Sequence, residues 1–111
     1  MKIKTSELTG TALDWAVAKC EEQRTCVWAT LRPAPYSSEW SLGGPIIERE
    51  KLNIYFEDKK LVWAAAIWEP TFGGGRLIAS SKDCLTPLIA AMRCYVASKL
   101  GDEVEIPEEL I

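Results

Sequence analysis

Side chains that could do chemistry are few in this sequence, and none falls in a pattern that a known reaction requires. The chain has no histidine, so a cysteine has no imidazole to activate it as a nucleophile. The four cysteines also lack the Cys-x-x-Cys spacing of a usual zinc set. We therefore interpret them as small, buried, reduced residues and expect neither a catalytic thiol nor a bound metal. They are Cys20, Cys26, Cys84 and Cys94.

A charged run and a glycine pair each suggest chemistry that their neighbours weaken. Glu48-Arg49-Glu50 offers two carboxylates for acid–base work, but Lys51 follows directly, and such a run is typical of a solvated turn with internal ion pairs. The Gly43-Gly44 pair lacks the lysine and threonine of a phosphate loop, and the following proline removes an N–H donor, which favours a simple turn. The sequence thus predicts a protein that is not an enzyme and uses no cofactor.

Aromatic side chains in two predicted loops form the remaining candidate site. Tyr36 and Trp40 lie in the long segment from Arg32 to Pro45, whereas Trp68 and Phe72 lie beside three consecutive glycines. Exposed rings of this kind can bind a peptide, a base or another protein. Alternatively, the four rings fasten the loops over the sheet, since aromatic residues usually pack in cores.

Two helices are predicted, and the second has the clearer signals. The first spans roughly residues 9–22, where apolar residues recur at helical spacing. The last helix begins at Thr86, a residue type that caps helix N-termini, and Pro87 follows at the first helical position. Lys99 in the final turn and Gly101 just beyond it are typical of a helix end.

Four strands are predicted between these helices. The short polar turn at residues 57–60 and a looser connection at residues 70–75 imply that the last three strands are antiparallel neighbours. The predicted fold is therefore α+β: an antiparallel sheet of three to five strands with two helices packed on one face. The strand candidates are Thr25–Leu31, Leu52–Phe56, Leu61–Trp68 and Gly75–Ser80.

The strand candidate Leu61–Trp68 is apolar on both of its faces. Trp63 and Ala65 alternate with Ala64 and Ala66, although a strand with one wet face should carry polar residues at every second position. Something must therefore cover the second face. The segment Arg32–Pro45 and a second copy of the chain are the two candidates.

The length and net charge of the chain limit its possible domain organisation and binding partners. The 111 residues predict a single domain over residues 1–111 with an acidic tail from about Asp102, although Val104 and Ile106 also suit a short edge strand. The net charge of −3 and the lack of a basic run disfavour nucleic-acid binding. No signal peptide or long apolar segment is evident, so we expect a cytoplasmic protein without membrane contact.

Several blocks of the sequence occur together in the order that one family shows. The blocks are Thr5–Gly10, Leu13–Lys19, Gly43–Glu50, Thr86–Asp102 and Pro107–Leu110. They resemble the NinX-like family, small proteins of lambdoid phages and enterobacterial prophages that carry a domain of unknown function. The resemblance implies a phage or prophage accessory protein, and it implies no catalytic residue or cofactor.

The function expected from these observations is non-catalytic. We expect an accessory module that binds an unidentified host or phage protein, and a homodimer would be consistent with the doubly apolar strand. The runner-up is a single-stranded nucleic-acid binder that uses Tyr36, Trp40, Trp68 and Phe72 as stacking surfaces. The third alternative is a small enzyme of unrecognised type.

Overall fold

The described fold contains three α-helices and five strands in two antiparallel sheets. The structure is a computed structural model that describes residues 1–22 and 32–110, so the predicted strand Thr25–Leu31 lies outside the described residues. The elements, in chain order, are β1 (Lys2–Lys4), a 3-10 helix (Thr5–Glu7), α1 (Gly10–Glu21), α2 (Trp40–Glu50), β2 (Asn53–Glu57), β3 (Val62–Thr71), β4 (Gly74–Cys84), α3 (Pro87–Leu100), β5 (Glu103–Glu105) and a 3-10 helix (Glu108–Leu110).

The helix α3 forms the centre of the fold. It contacts all three strands of the larger sheet on one side, and both α1 and α2 pack against it. Met92 and Tyr95 are fully buried, and Thr86 caps the helix by accepting a hydrogen bond from the Ile89 N–H at 3.1 Å. The predicted boundaries of α3 are therefore confirmed. The α+β class is also confirmed, but the described residues form three α-helices rather than two, and of these α3 packs on all three strands of the larger sheet.

The larger sheet has the order β2-β3-β4 and is antiparallel throughout. The β3 face that carries Ala65 lies against α3, because Ser81, the partner of Ala65 on β4, donates a hydrogen bond to the Ala90 carbonyl of α3. On the other face, Ala64 and Ala66 are 0% and 4% exposed. The second face is therefore buried at its middle, as the sequence predicted.

The helix α2 occupies residues that were predicted to be a loop and a turn, so this prediction is wrong. Ile46 is 2% exposed, and its burial outweighs the poor helix propensity of the Gly43-Gly44-Pro45 run. Gly43 is required because a Cβ there would lie 2.5 Å from Leu88 Cδ1 and 2.9 Å from the Tyr36 carbonyl oxygen. The segment Arg32–Pro45 therefore contributes its last residues to a helix that packs on α3.

The acidic C-terminal segment is also structured. β5 pairs antiparallel with β1, so that Val104 lies opposite Ile3. Val104 is 6% exposed and Ile106 is fully buried. Of the two alternatives that the sequence left open, the structure shows the short edge strand rather than a solvated tail.

Candidate interaction surface

The far end of the β3–β4 hairpin is the most exposed apolar part of the described chain. We call residues Trp68–Ile78 the arm; every residue in it is exposed. Phe72 lies at the turn with its side chain fully exposed, at 109%. Trp68, Leu77 and Ile78 are 52%, 47% and 41% exposed. Four large apolar side chains thus face solvent on one short ribbon, an arrangement that often marks an interaction site.

The turn of the arm is tighter than predicted. The strands continue to Thr71 and Gly74, which pair with each other and leave only Phe72 and Gly73 between them. Gly73 has φ 89°, a conformation that favours glycine, and the Thr71 hydroxyl donates to the Gly74 carbonyl at 3.0 Å. The looser connection predicted for residues 70–75 is therefore wrong, and Phe72 is held at the tip of a regular hairpin.

Trp68 rests on the strand beside it. It pairs with Leu77, and its ring lies diagonally over Gly75, where a Cβ would be 3.7 Å from Trp68 Cε3. A glycine at this position leaves room for the indole to lie along the ribbon. One side of the ring therefore contacts backbone, while about half of the residue remains available for contact.

The arm carries almost no charge. Its two charged residues are Glu69 and Arg76, whose side chains face each other across the ribbon at 4.0 Å. This pair is well exposed and is worth little in stability. The arm therefore presents a nearly neutral apolar surface.

Tyr36 and Trp40 do not share this surface. Tyr36 is half-buried against the core, and its burial, together with the nearby Glu21 and Asp14 carboxylates, raises its pKa. Trp40 is the first residue of α2, is 53% exposed, and lines a cleft of about 290 Å³ beside the first turn of α3.

The two aromatic pairs lie at different ends of the larger sheet. Trp40 lies beside the first turn of α3, and this turn follows Cys84 at the end of β4. Cys84 pairs with Trp63 of β3. Trp68 lies five residues further along β3, about 16 Å away at the usual rise per strand residue. The structure thus brings Trp68 and Phe72 together on the arm, with Leu77 and Ile78 as members that the sequence did not single out.

A polar network that the sequence did not reveal connects the three helices. Arg49 Nη2 donates to Glu21 Oε1 at 2.6 Å and to the Tyr95 hydroxyl oxygen at 3.0 Å. The buried Tyr95 hydroxyl donates to the same carboxylate oxygen at 2.7 Å. The hydrogen bond to Glu21 is the main reason why the pKa of Arg49 is raised, and burial followed by that carboxylate raises the pKa of Tyr95.

The network continues to Glu50, which also lies at the end of α2. Arg49 Nε donates to Glu50 Oε2 at 2.9 Å, and Lys99 Nζ lies 3.4 Å from Glu50 Oε1. Burial alone would raise the pKa of Glu50, but Arg49 and Lys99 outweigh it and lower the pKa below its ordinary value. The internal ion pair predicted for Glu48-Arg49-Glu50 exists, although on a helix and not in a turn. The Glu21 and Glu50 carboxylates pair with Arg49 and Lys99, so the network joins helices.

The buried thiols and the acidic residues do not form a metal site in the described part of the chain. Among residues 1–22 and 32–110, no three cysteine, aspartate or glutamate side chains lie together in a group that could hold a metal ion. Burial raises the pKa of the Cys20 and Cys94 thiols to about 12, so both are protonated at neutral pH. Cys26 lies outside the described residues.

The fold and this surface define a class: a small α+β protein with an apolar β-hairpin arm. Residues 4–99 match the family described as Bacteriophage P22, NinX. The chain therefore belongs to this phage protein family, which confirms the resemblance of its sequence blocks. None of the curated proteins compared with the chain matches it. No described helix combines the length and apolar character needed to cross a membrane.

Proposed function

We propose that this member of the NinX family is a non-catalytic accessory protein that binds a host or phage protein in the bacterial cytoplasm through its arm. The single observation that carries the proposal is the full exposure of Phe72 at the tip of a ribbon that also exposes Trp68 and Leu77. Burying each such side chain in a partner would contribute about 1.5–3 kcal/mol. Tryptophan is also among the residues that dominate protein interfaces.

The charge of the arm favours a protein over a nucleic acid. Affinity for nucleic acid comes largely from cations that neutralise phosphates. Arg76 is the one cation of the arm, and it faces Glu69. The whole chain carries a net charge of −3. Base stacking on Trp68 and Phe72, worth about 1–3 kcal/mol per base, remains the second candidate function.

The main test is affinity purification from infected cells with a tagged chain. The arm variant carries Trp68→Ser, Phe72→Ser and Leu77→Ser. The control variant carries Leu61→Ser and Leu85→Ser, which remove apolar side chains that are 74% and 84% exposed outside the arm. We expect a reproducible partner with the wild type and the control and its loss with the arm variant.

Two further measurements separate the alternatives. Circular dichroism must show that the arm variant is folded, so that a lost partner reflects the surface. The second measurement is binding of a labelled single-stranded oligonucleotide at low salt. If the wild type binds it and the arm variant does not, the arm is a nucleic-acid-binding surface and the proposed protein partner is wrong. Equal recovery of the partner with the arm and control variants would show that the arm is not the binding surface.

Self-association is tested with the same variants. Sedimentation velocity of the purified chain over a range of concentrations reports whether it forms a dimer. A dimer that the arm variant abolishes and the Leu61/Leu85 control retains would identify the partner as a second copy. If the chain is a monomer at all concentrations, self-association is excluded, and the proposed partner of the arm is a different protein.

A further inference from the structure

A small cleft with charged residues in its lining lies where the N-terminal segment, β4, α3 and the start of β5 meet. Its volume is about 210 Å³. That is the space of about seven water molecules at roughly 30 Å³ each, enough for a ligand with about seven non-hydrogen atoms. The residues that line it are Lys4, Thr5, Ser6, Ser80, Ser81, Arg93, Ala97, Asp102 and Glu103.

Arg93 contributes a fixed, half-buried guanidinium to this cleft. Its Nε donates to the Leu8 carbonyl at 2.7 Å, and its Nη1 lies 3.4 Å from Cys84 Sγ. Within the described residues, no carboxylate oxygen lies within 4.0 Å of Arg93, and Nη2 has no acceptor. Because every fully buried polar side-chain atom of the described residues has a partner, this Nη2 is open to solvent. A guanidinium held in this way is pre-organised to present Nη2 to a carboxylate as a charged hydrogen-bond donor.

The cleft also carries charges of the opposite sign. Asp102 and Glu103 line it together with Lys4, and Lys4 lies directly opposite Glu103 across the β1–β5 pair. No ion pair of 4.0 Å or less joins these charges to one another or to Arg93 in the described part of the chain. Cations and carboxylates thus surround one small space without contacting each other. Ser6 lines the same cleft, and its hydroxyl has no hydrogen-bond partner among the described residues either.

We propose that this cleft binds a small zwitterion, a free amino acid whose carboxylate contacts Arg93 and whose ammonium contacts Asp102 and Glu103. A simple oxyanion such as phosphate would meet the two carboxylates as like charges, and a simple amine would meet Arg93 and Lys4. A ligand with both charges complements both sets at once. This binding is independent of the function proposed for the arm.

The test is a titration of the isotope-labelled full chain, followed by nuclear magnetic resonance. The probes are L-serine, whose seven non-hydrogen atoms match the size of the cleft, and the slightly larger L-asparagine. Propionate lacks the ammonium, ethylamine lacks the carboxylate, and inorganic phosphate is a plain oxyanion. We expect saturable shifts of the Ser80, Ser81 and Arg93 signals with an amino acid, and at least about tenfold weaker binding of each single-charge probe.

Variants assign the binding to the cleft. Asp102→Asn with Glu103→Gln changes only exposed side chains and should weaken amino-acid binding at least about tenfold. The matched control, Glu108→Gln with Glu109→Gln, removes two exposed acids that do not line the cleft and should bind as the wild type does. Arg93→Lys keeps the charge but loses the guanidinium that the Leu8 carbonyl and Cys84 hold in place, and it should also weaken binding.

Three outcomes would overturn the proposal. They are an absence of saturable shifts with either amino acid, equal binding of propionate or phosphate, and equal effects of the two acid-to-amide double variants. The arm variant with serine at positions 68, 72 and 77 should bind the amino acid normally. A failure of the arm to bind protein therefore leaves this test unaffected.

Discussion

The base and the arm of the β3–β4 hairpin use the same two strands, but only the base contains buried residues. The base pairs Trp63–Ile67 with Ala79–Cys84 and lies against α3. The arm continues the same ladder, and all of its residues are exposed. Both parts are rich in apolar residues, so strand composition alone does not decide burial. The helix that covers the base decides it.

An irregularity in the pairing separates the two regions. Ile67 pairs with Ala79 and Trp68 pairs with Leu77, so Ile78 is an extra residue on β4. An extra residue of this kind bends a strand and increases its local twist. The arm therefore begins where the ladder changes register, and the following predictions test whether base and arm differ in energy as they differ in exposure.

The largest difference is expected when an aspartate is placed in each region. Met92 of α3 is fully buried in the same core as the base of the hairpin. Met92→Asp places an unpaired charge in this core, so it should lower the free energy of unfolding by at least about 3 kcal/mol. Phe72→Asp in the arm should change stability by less than about 0.5 kcal/mol. Urea denaturation measures both. Comparable losses in the two variants would mean that the arm packs on the body of the protein.

Two tryptophans five residues apart on β3 give the next test. Trp63 packs on the core and lies 5.1 Å from the Phe56 ring, so Trp63→Ala should cost about 2–3 kcal/mol. Trp68→Ala removes a ring that is about half exposed, and it should cost less than about 1 kcal/mol. Thermal melts of the two variants check the order, and a more damaging Trp68 variant would assign this ring to packing.

Glycine-to-alanine substitutions should show a smaller difference in stability between the body of the protein and the arm. In α2, which packs against α3, Gly43→Ala would place a Cβ 2.5 Å from Leu88 Cδ1 and should cost about 2 kcal/mol. In the arm, Gly75→Ala meets Trp68 at an ordinary contact distance of 3.7 Å, and it should be neutral or stabilise by up to about 0.5 kcal/mol. Denaturant midpoints measured side by side decide this, and a well-tolerated Gly43→Ala would contradict the close helix contact.

The smallest expected effect concerns a single hydroxyl. Tyr95→Phe removes a buried donor to Glu21 and should cost about 1–2 kcal/mol, because Glu21 keeps its ion pair with Arg49. Tyr55→Phe alters a residue of β2 that is 44% exposed, and it should have almost no effect. Equilibrium unfolding of both variants provides the comparison. Equal stability of the two would show that the Tyr95 hydroxyl contributes little.

Local sequence signals explain which parts of the fold could be predicted. The cap at Thr86 and the apolar runs of β2, β3 and β4 depend on residues that are close in the chain, so they were predicted to within a few residues. The helix α2 was missed because its Gly-Gly-Pro run disfavours a helix locally, and only the burial of Ile46 against the core overcomes this preference.

The candidate sites show the same division between local and distant signals. Trp68 and Phe72 were identified as candidate binding residues because aromatics beside glycines are visible in the sequence. Their separation from Tyr36 and Trp40 depends on strand order and register, which sequence spacing does not determine. The network and the cleft each bring together residues that are far apart in the chain, and no local sequence pattern predicts such contacts.

The network of Glu21, Arg49 and Tyr95 also determines when the three helices can pack together during biosynthesis. Tyr95 binds partners that precede it by 74 and 46 positions, so the packing of the three helices cannot be completed until residue 95 has been translated. At about 5–20 residues per second, α1 waits roughly 4–15 s for this partner. Once α1 has left the ribosomal exit tunnel, it exposes the side that α3 will later cover, and early chaperone contacts should concentrate there.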